Sequence, residues 1–122
     1  VHATLRRIRE HGRKVGISIK PDTELDALLP YMDEVDMILV MSVEPGFGGQ
    51  GYLEKSTERI REVRRMIETS GRNIDLEVDG GIRLDNLKMV LDAGANVIVA
   101  GSAVFHGDIE RNVREINKIL EA

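Results

Sequence analysis

The chain contains no cysteine, which excludes disulfides, thiolate metal sites and a cysteine nucleophile. Aromatic residues are scarce, with two tyrosines, two phenylalanines and no tryptophan, so no platform for stacking bases is expected. Charge of one sign is not concentrated either. Seventeen Lys and Arg against 21 Asp and Glu leave a formal net charge of −4 without a basic stripe, which speaks against nucleic acid as a partner. No apolar run approaches the roughly 20 residues of a membrane-spanning helix, and no signal peptide opens the chain. The expectation is a cytoplasmic protein without membrane contact. Linkers and low-complexity segments are also missing, so 122 residues read as a single domain, 1–122. Hydrophobic residues at 42% suffice for a packed core, and 31% charged residues of mixed sign argue against disorder.

Helical and short apolar segments alternate. Leu5 and Ile8, three apart among charges and followed by Gly12, predict an amphipathic helix. Val15–Ile19 predicts a strand, and Thr23 with Asp26 three residues on predicts the capped start of a short helix carrying Leu25, Leu28 and Leu29. Met37–Met41 predicts a buried strand. Ile60, Val63 and Ile67 share a helical face that Gly71 ends, with the arginine run Arg59–Arg65 read as solvated. Ile74–Val78 and Val97–Ala100 predict two more strands, separated by a helix with Asp85 as its cap and Gly94 as its end. Ile109, Val113, Ile116 and Leu120 line a last helix. This alternation implies parallel strands with right-handed crossovers, and the apolar strands imply burial on both faces. Either an open doubly wound sheet or part of a (β/α)8 barrel fits; a complete barrel takes about 250 residues.

Seven of the 12 glycines, Gly46, Gly48, Gly49, Gly51, Gly80, Gly81 and Gly101, follow the C-terminal ends of three strands. Ligands bind at that edge in parallel α/β folds. Glycine there admits backbone N–H groups close to an anion, although tight turns alone also call for it. Gly46-Phe47-Gly48-Gly49-Gln50-Gly51 matches G-x-G-x-x-G, but Ser42 to Pro45 separate it from the strand, and the next strand-end acid, Asp79, comes 28 residues after Gly51. A dinucleotide site wants the first glycine directly after the strand and the acid about 20 residues on. Asp79 is the carboxylate best placed for acid–base or metal chemistry, although a strand-end Asp also serves as a plain turn cap. His2 and His11 read as solvated helix residues, His106 as a loop residue near the same edge, and Met41 as a strand-end residue facing a pocket.

The segments Met41-Ser42-Val43-Glu44-Pro45-Gly46-Phe47-Gly48-Gly49-Gln50, Glu77-Val78-Asp79-Gly80-Gly81-Ile82 and Val99-Ala100-Gly101-Ser102-Ala103-Val104-Phe105 resemble, in order and spacing, the ribulose-phosphate 3-epimerase family, as does Ile19-Lys20-Pro21-Asp22-Thr23. The resemblance spans essentially the whole chain and implies strands five to eight of a (β/α)8 TIM barrel, that is, a partial α/β barrel of four parallel strand–helix units. It implies an isomerase of carbohydrate metabolism, in the pentose phosphate pathway, that interconverts D-ribulose 5-phosphate and D-xylulose 5-phosphate. A proton leaves C3, a metal-stabilised enediolate forms, and reprotonation on the opposite face inverts the carbon. Two aspartates share the acid and base roles, and two His and two Asp hold a divalent metal, Zn, Fe, Mn or Co. Matched residue by residue, Asp79 is catalytic residue and metal ligand at once. Gly46, Phe47, Gly48 and Gly49 belong to the loop that closes over substrate, and Gly80, Gly81, Gly101 and Ser102 to the phosphate cradle.

The other catalytic aspartate and three of the four metal ligands lie in the family's first four strands, which these residues do not match; neither His2 nor His11 corresponds to a metal-binding histidine. The expectation is a half barrel with an incomplete metal site, inactive alone, that belongs to a longer polypeptide lacking here its N-terminal half or else associates with itself. Ile17, Ile19, Ile38, Val40, Leu76, Val78, Val97 and Val99 are expected to be partly uncovered, and the first and last strands to be open edges. Two other functions fit the same residues: an epimerase for another ketose phosphate such as allulose 6-phosphate, and a non-catalytic phosphate-binding module.

Overall fold

The computed structural model describes residues 1–43 and 51–122. Four parallel strands, β1 (Gly16–Ile19), β2 (Met37–Met41), β3 (Asp75–Asp79) and β4 (Val97–Val99), lie side by side in chain order. Helix α1 (His2–Glu10) precedes β1, and a 3-10 helix (Leu25–Tyr31) joins β1 to β2. Helices α2 (Lys55–Ser70) and α3 (Leu84–Ala93) follow β2 and β3; after β4 come one helical turn, α4 (Ser102–Phe105), and α5 (Ile109–Glu121). A doubly wound sheet reverses direction at a switch point. Here every crossover steps the same way, as in a (β/α)8 barrel. No helix among the described residues is long and apolar enough to cross a membrane.

The two sheet faces differ. Ile17, Ile38 and Leu76 form one cross-strand row, and Ile19, Val40, Val78 and Ile98 the next. Ile38, Val40, Leu76 and Val78 are fully buried, packed in one core with Ile60, Val63 and Ile67 of α2 and Leu87 and Val90 of α3. Alternate residues point the other way, because successive side chains of a strand take opposite faces. On that second face Ser18, Leu39, Glu77 and Val97 align, and above them Met41, Asp79 and Val99. None of these seven is buried. Burial on both faces is therefore corrected to burial on one. Of the eight residues expected to be partly uncovered, Ile19, Ile38, Val40, Leu76 and Val78 lie in the core, while Ile17, Val97 and Val99 keep some exposure. The helices cover a single face. The uncovered apolar side chains are Leu39, Met41, Val97 and Val99, and β1 and β4 are the sheet's edges, as expected.

Two caps differ from expectation. Thr23 Oγ1 accepts the Lys20 N–H at 3.1 Å and so closes a turn; the 3-10 helix starts after Glu24 without a side-chain cap. At α3 the cap position is Arg83, and Asn86 does the capping, its Oδ1 accepting the Arg83 N–H at 2.7 Å. Asp85 lies in the first turn, paired with Arg83. Gly71 ends α2 as read. Two arginines of the Arg59–Arg65 run leave the solvated face: Arg59 donates to the carbonyls of Lys20 and Thr23, and Arg64 to that of Gly94. The guanidinium fork holds loop carbonyls that have no ladder partner.

At the strands' N-terminal ends, Asp36 accepts the Val15 N–H at 2.8 Å and an Arg9 donor at 3.1 Å. The Val15 N–H bond, reinforced by Arg9, holds its carboxyl below the usual carboxylate range. A carboxylate whose pKa is lowered by folding stabilises the fold in full above the unfolded value, near 3.9. That contribution is lost as pH falls through the folded value. Asp36→Asn is expected to lose about 1 kcal/mol at pH 7, the scale of one net hydrogen bond. The gap to the parent should shrink progressively as pH falls below about 3.9, read as urea midpoints along a pH series.

Candidate active site

Parallel strands in chain order bring four chain segments to one rim: Lys20 after β1, Ser42-Val43 after β2, Asp79-Gly80-Gly81 at the end of β3, and Ala100-Gly101-Ser102 after β4. Asp79 is the last residue of β3, half-buried on the uncovered face, with Met41 and Val99 beside it in register. Its neighbours in that layer are apolar, so its carboxylate is the polar group that the sheet presents there. Met41 ends β2, as read, and lies beside Asp79 on the uncovered face. Glu77 and Asp75 lie below Asp79 on the same face, both half-buried. Glu77 was missed as a site-facing carboxylate. Its signal is the period-two alternation Asp75-Leu76-Glu77-Val78-Asp79.

Gly80 and Gly81 pack against the chain on either side of residues 44–50. A Cβ on Gly80 would meet Val43 Cγ2 at 2.7 Å, and one on Gly81 would meet Tyr52 Cα at 2.7 Å. The pair is thus required by backbone packing, whatever binds above it. Ser42 donates its N–H to the Asp79 carbonyl at 2.9 Å and accepts the Leu53 N–H at 2.9 Å, tying β2, β3 and the residues before α2 together. Tyr52 shares a 2.8 Å hydrogen bond with Thr57, and burial pushes its phenol up, so it stays protonated at neutral pH. Lys55, at the start of α2, reaches Asp22 after β1 at 2.9 Å; the bond from Lys55 holds the Asp22 carboxyl below its usual range.

Gly101 and Ser102 are exposed, and no atom would meet a Cβ on Gly101 within 4 Å. Packing therefore does not demand this glycine, in contrast to Gly80 and Gly81. Asn112 of α5 fixes the segment by donating to the carbonyls of Val104 (2.9 Å) and His106 (2.7 Å). Ser102, Arg83 and His106 line one pocket of about 360 Å³ between α3 and α4. A larger groove, about 810 Å³, lies between α3 and α5 by Ala95 and Ile119, away from this rim. The rim is favoured as the site because Asp79 and the strand-end glycines stand there. Gly46, Phe47, Gly48 and Gly49 lie outside the described residues. His2 is exposed in α1, as read, and there its Nδ1 meets Glu34 at 2.6 Å and its ring packs on Tyr31.

The divalent metal that the resemblance implies does not fit the described residues. Among them no three His, Asp or Glu side chains converge, and a lone carboxylate such as Asp79 does not hold a catalytic ion.

In-order parallel strands with helices on one face and a glycine-rich rim around one carboxylate define a partial (β/α)8 barrel. The family model described as ribulose-phosphate 3 epimerase family matches residues 1–105, and the chain belongs to that family. It is 49% identical over 105 residues to ribulose-phosphate 3-epimerase of Serratia marcescens, covering 86% of this chain and 50% of that protein. It is 44% identical over 122 residues to the protein of the same name from Buchnera aphidicola subsp. Schizaphis graminum, covering 99% of this chain and 54% of that one. The chain spans about half the length of the curated relatives it matches. Among solved structures, 3-hexulose-6-phosphate synthase from Salmonella typhimurium superposes with a TM-score of 0.69 at 24% identity, over 98% of this chain and 55% of that one; this likeness concerns the fold.

Proposed function

We propose that this chain supplies the proton-transferring and phosphate-gripping side of a ribulose-phosphate 3-epimerase, which interconverts D-ribulose 5-phosphate and D-xylulose 5-phosphate. The observation that carries this reading is the Asp79 carboxylate at the strand tip, on the uncovered face and next to the Gly80-Gly81 turn. Family membership adds to it. In this reading the phosphate sits against the Gly80-Gly81 turn, at the Gly81 amide, and against the amides of Gly101 and Ser102, with Arg83 as the nearby cation. The sugar then extends over the apolar layer of Met41 and Val99. Asp79 takes the proton from C3 on one face of the substrate, or returns it, a role suited to a positioned carboxylate. Abstraction there is feasible because C3 neighbours the C2 carbonyl, which delocalises the electron pair left behind.

A second acid–base group must serve the opposite face, and further strands must cover Leu39, Met41, Val97 and Val99. In the working protein these come from the remainder of a barrel or from a second copy of the chain. The metal is left to that complement, and Asp79 is its one candidate ligand here. The test is deuterium wash-in: the working protein, this chain together with that complement, incubated with D-ribulose 5-phosphate in D2O should place deuterium at C3 and form xylulose 5-phosphate. Phosphate binding by that complete assembly without any exchange at C3 would instead favour a non-catalytic half-barrel module.

A further inference from the structure

Ser42 is completely buried directly after β2. Besides its two backbone bonds, its hydroxyl donates its one proton chiefly to the Gly80 carbonyl and stands 3.1 Å from the Asp79 carbonyl. These carbonyls belong to consecutive peptide units, Asp79–Gly80 and Gly80–Gly81. In a trans peptide the N–H points opposite to the C=O. The Asp79 carbonyl faces β2, so the Gly80 N–H faces β4, where the pairing of Asp79 with Val99 takes it into the parallel ladder. Drawing the Gly80 carbonyl to the Ser42 hydroxyl turns the Gly81 N–H away from Ser42. A backbone N–H oriented at a strand tip is a donor for an anion.

We infer that Ser42 is a positioning residue that sets the Gly81 amide for an anionic ligand; the inference rests on reading this rim as the phosphate site. The two peptide units depend on Ser42 unequally. The Asp79 carbonyl keeps its bond from the Ser42 backbone N–H when the hydroxyl is removed. The Gly80 carbonyl loses the Ser42 donor, and its peptide lies between two glycines, whose backbone resists rotation least. The loss should therefore fall on anion binding and spare the placement of Asp79.

The experiment is a titration of the 15N-labelled protein with inorganic phosphate, followed at the Gly81 amide, with kinetics of the working protein on D-ribulose 5-phosphate in parallel. Ser42→Ala is expected to weaken phosphate about ten-fold, the scale of one hydrogen bond, and to displace the Gly81 amide resonance. KM should rise by a similar factor with kcat within about two-fold. Ser42→Thr, which keeps the hydroxyl, should behave as the parent does. Ser42→Cys, of similar volume and weak donor strength, should follow Ser42→Ala and serves if the alanine variant does not fold. Parental phosphate affinity in Ser42→Ala or Ser42→Cys overturns the inference. So does a fall in kcat at constant KM, which marks general structural damage, and so does a parent protein whose Gly81 amide ignores phosphate. If phosphate moves that amide but no epimerisation occurs, the proposed reaction fails while the role of Ser42 stands.

Discussion

Asp79→Asn is expected to lower the rate of epimerisation, and of deuterium wash-in at C3, by about a thousand-fold, within the range that general acid–base groups contribute. Asparagine keeps the size of the side chain and its place between Met41 and Val99, but at neutral pH it neither accepts nor returns a proton. Glu77 does not substitute. It lies two residues back along the same strand face, about 7 Å lower at the usual rise per residue. Phosphate affinity should stay within about two-fold, because the proposed phosphate contacts are the amides of Gly81, Gly101 and Ser102, and a carboxylate several ångströms away interacts weakly across a solvated rim. Isothermal titration with inorganic phosphate, run beside the wash-in assay, reads both halves of the expectation. A variant that loses catalysis and phosphate binding together would remove the division of labour between Asp79 and the glycine amides. A variant with near-parental exchange would remove Asp79 from the chemistry.

The features legible in the sequence are those set by short-range pattern. Gly71 follows a helical stripe and ends α2; the four apolar segments became the four strands, shifted by a residue or so; and Asp79 with Gly80-Gly81 fell at the strand-end rim. Glu77 was obscured because the segment from Ile74 was read as one apolar run, when its two-residue alternation marks a strand with one dry face and one open face. Arg59 and Arg64 look like solvent-facing charges in a helix of mixed sign. The carbonyls that they hold are 30 to 39 residues away in the chain, a distance at which no local pattern operates. Ser42 shows the same limit: the carbonyls that its hydroxyl bonds are 37 and 38 residues away. Polar residues that fix a rim through contacts distant in sequence are legible only once the strand order is known.

Gly81→Ala should destabilise the fold by about 4 kcal/mol, in the range where a specific structural cause is required. Two effects add. Gly81 has a φ of +69°, and left-handed backbone costs an alanine about 1–2 kcal/mol. The new methyl group would also press on the backbone of Gly51 and Tyr52. That backbone cannot swing aside as a flexible side-chain end does, since the adjoining Leu53 N–H is fastened to the Ser42 carbonyl. Gly71 provides the control. Its φ is +70°, but a Cβ there meets nothing within 4 Å, so Gly71→Ala carries the conformational penalty alone, about 1 kcal/mol after the loss of unfolded-state entropy is credited. In thermal melts at one fixed protein concentration, Gly81→Ala should lower Tm by roughly 12 °C or more and Gly71→Ala by roughly 4 °C. Similar shifts at the two positions would show that the rim yields to the methyl group. The Gly80-Gly81 turn would then not be fixed by the packing that holds it beside Asp79, and its glycines would have to be explained by the ligand alone.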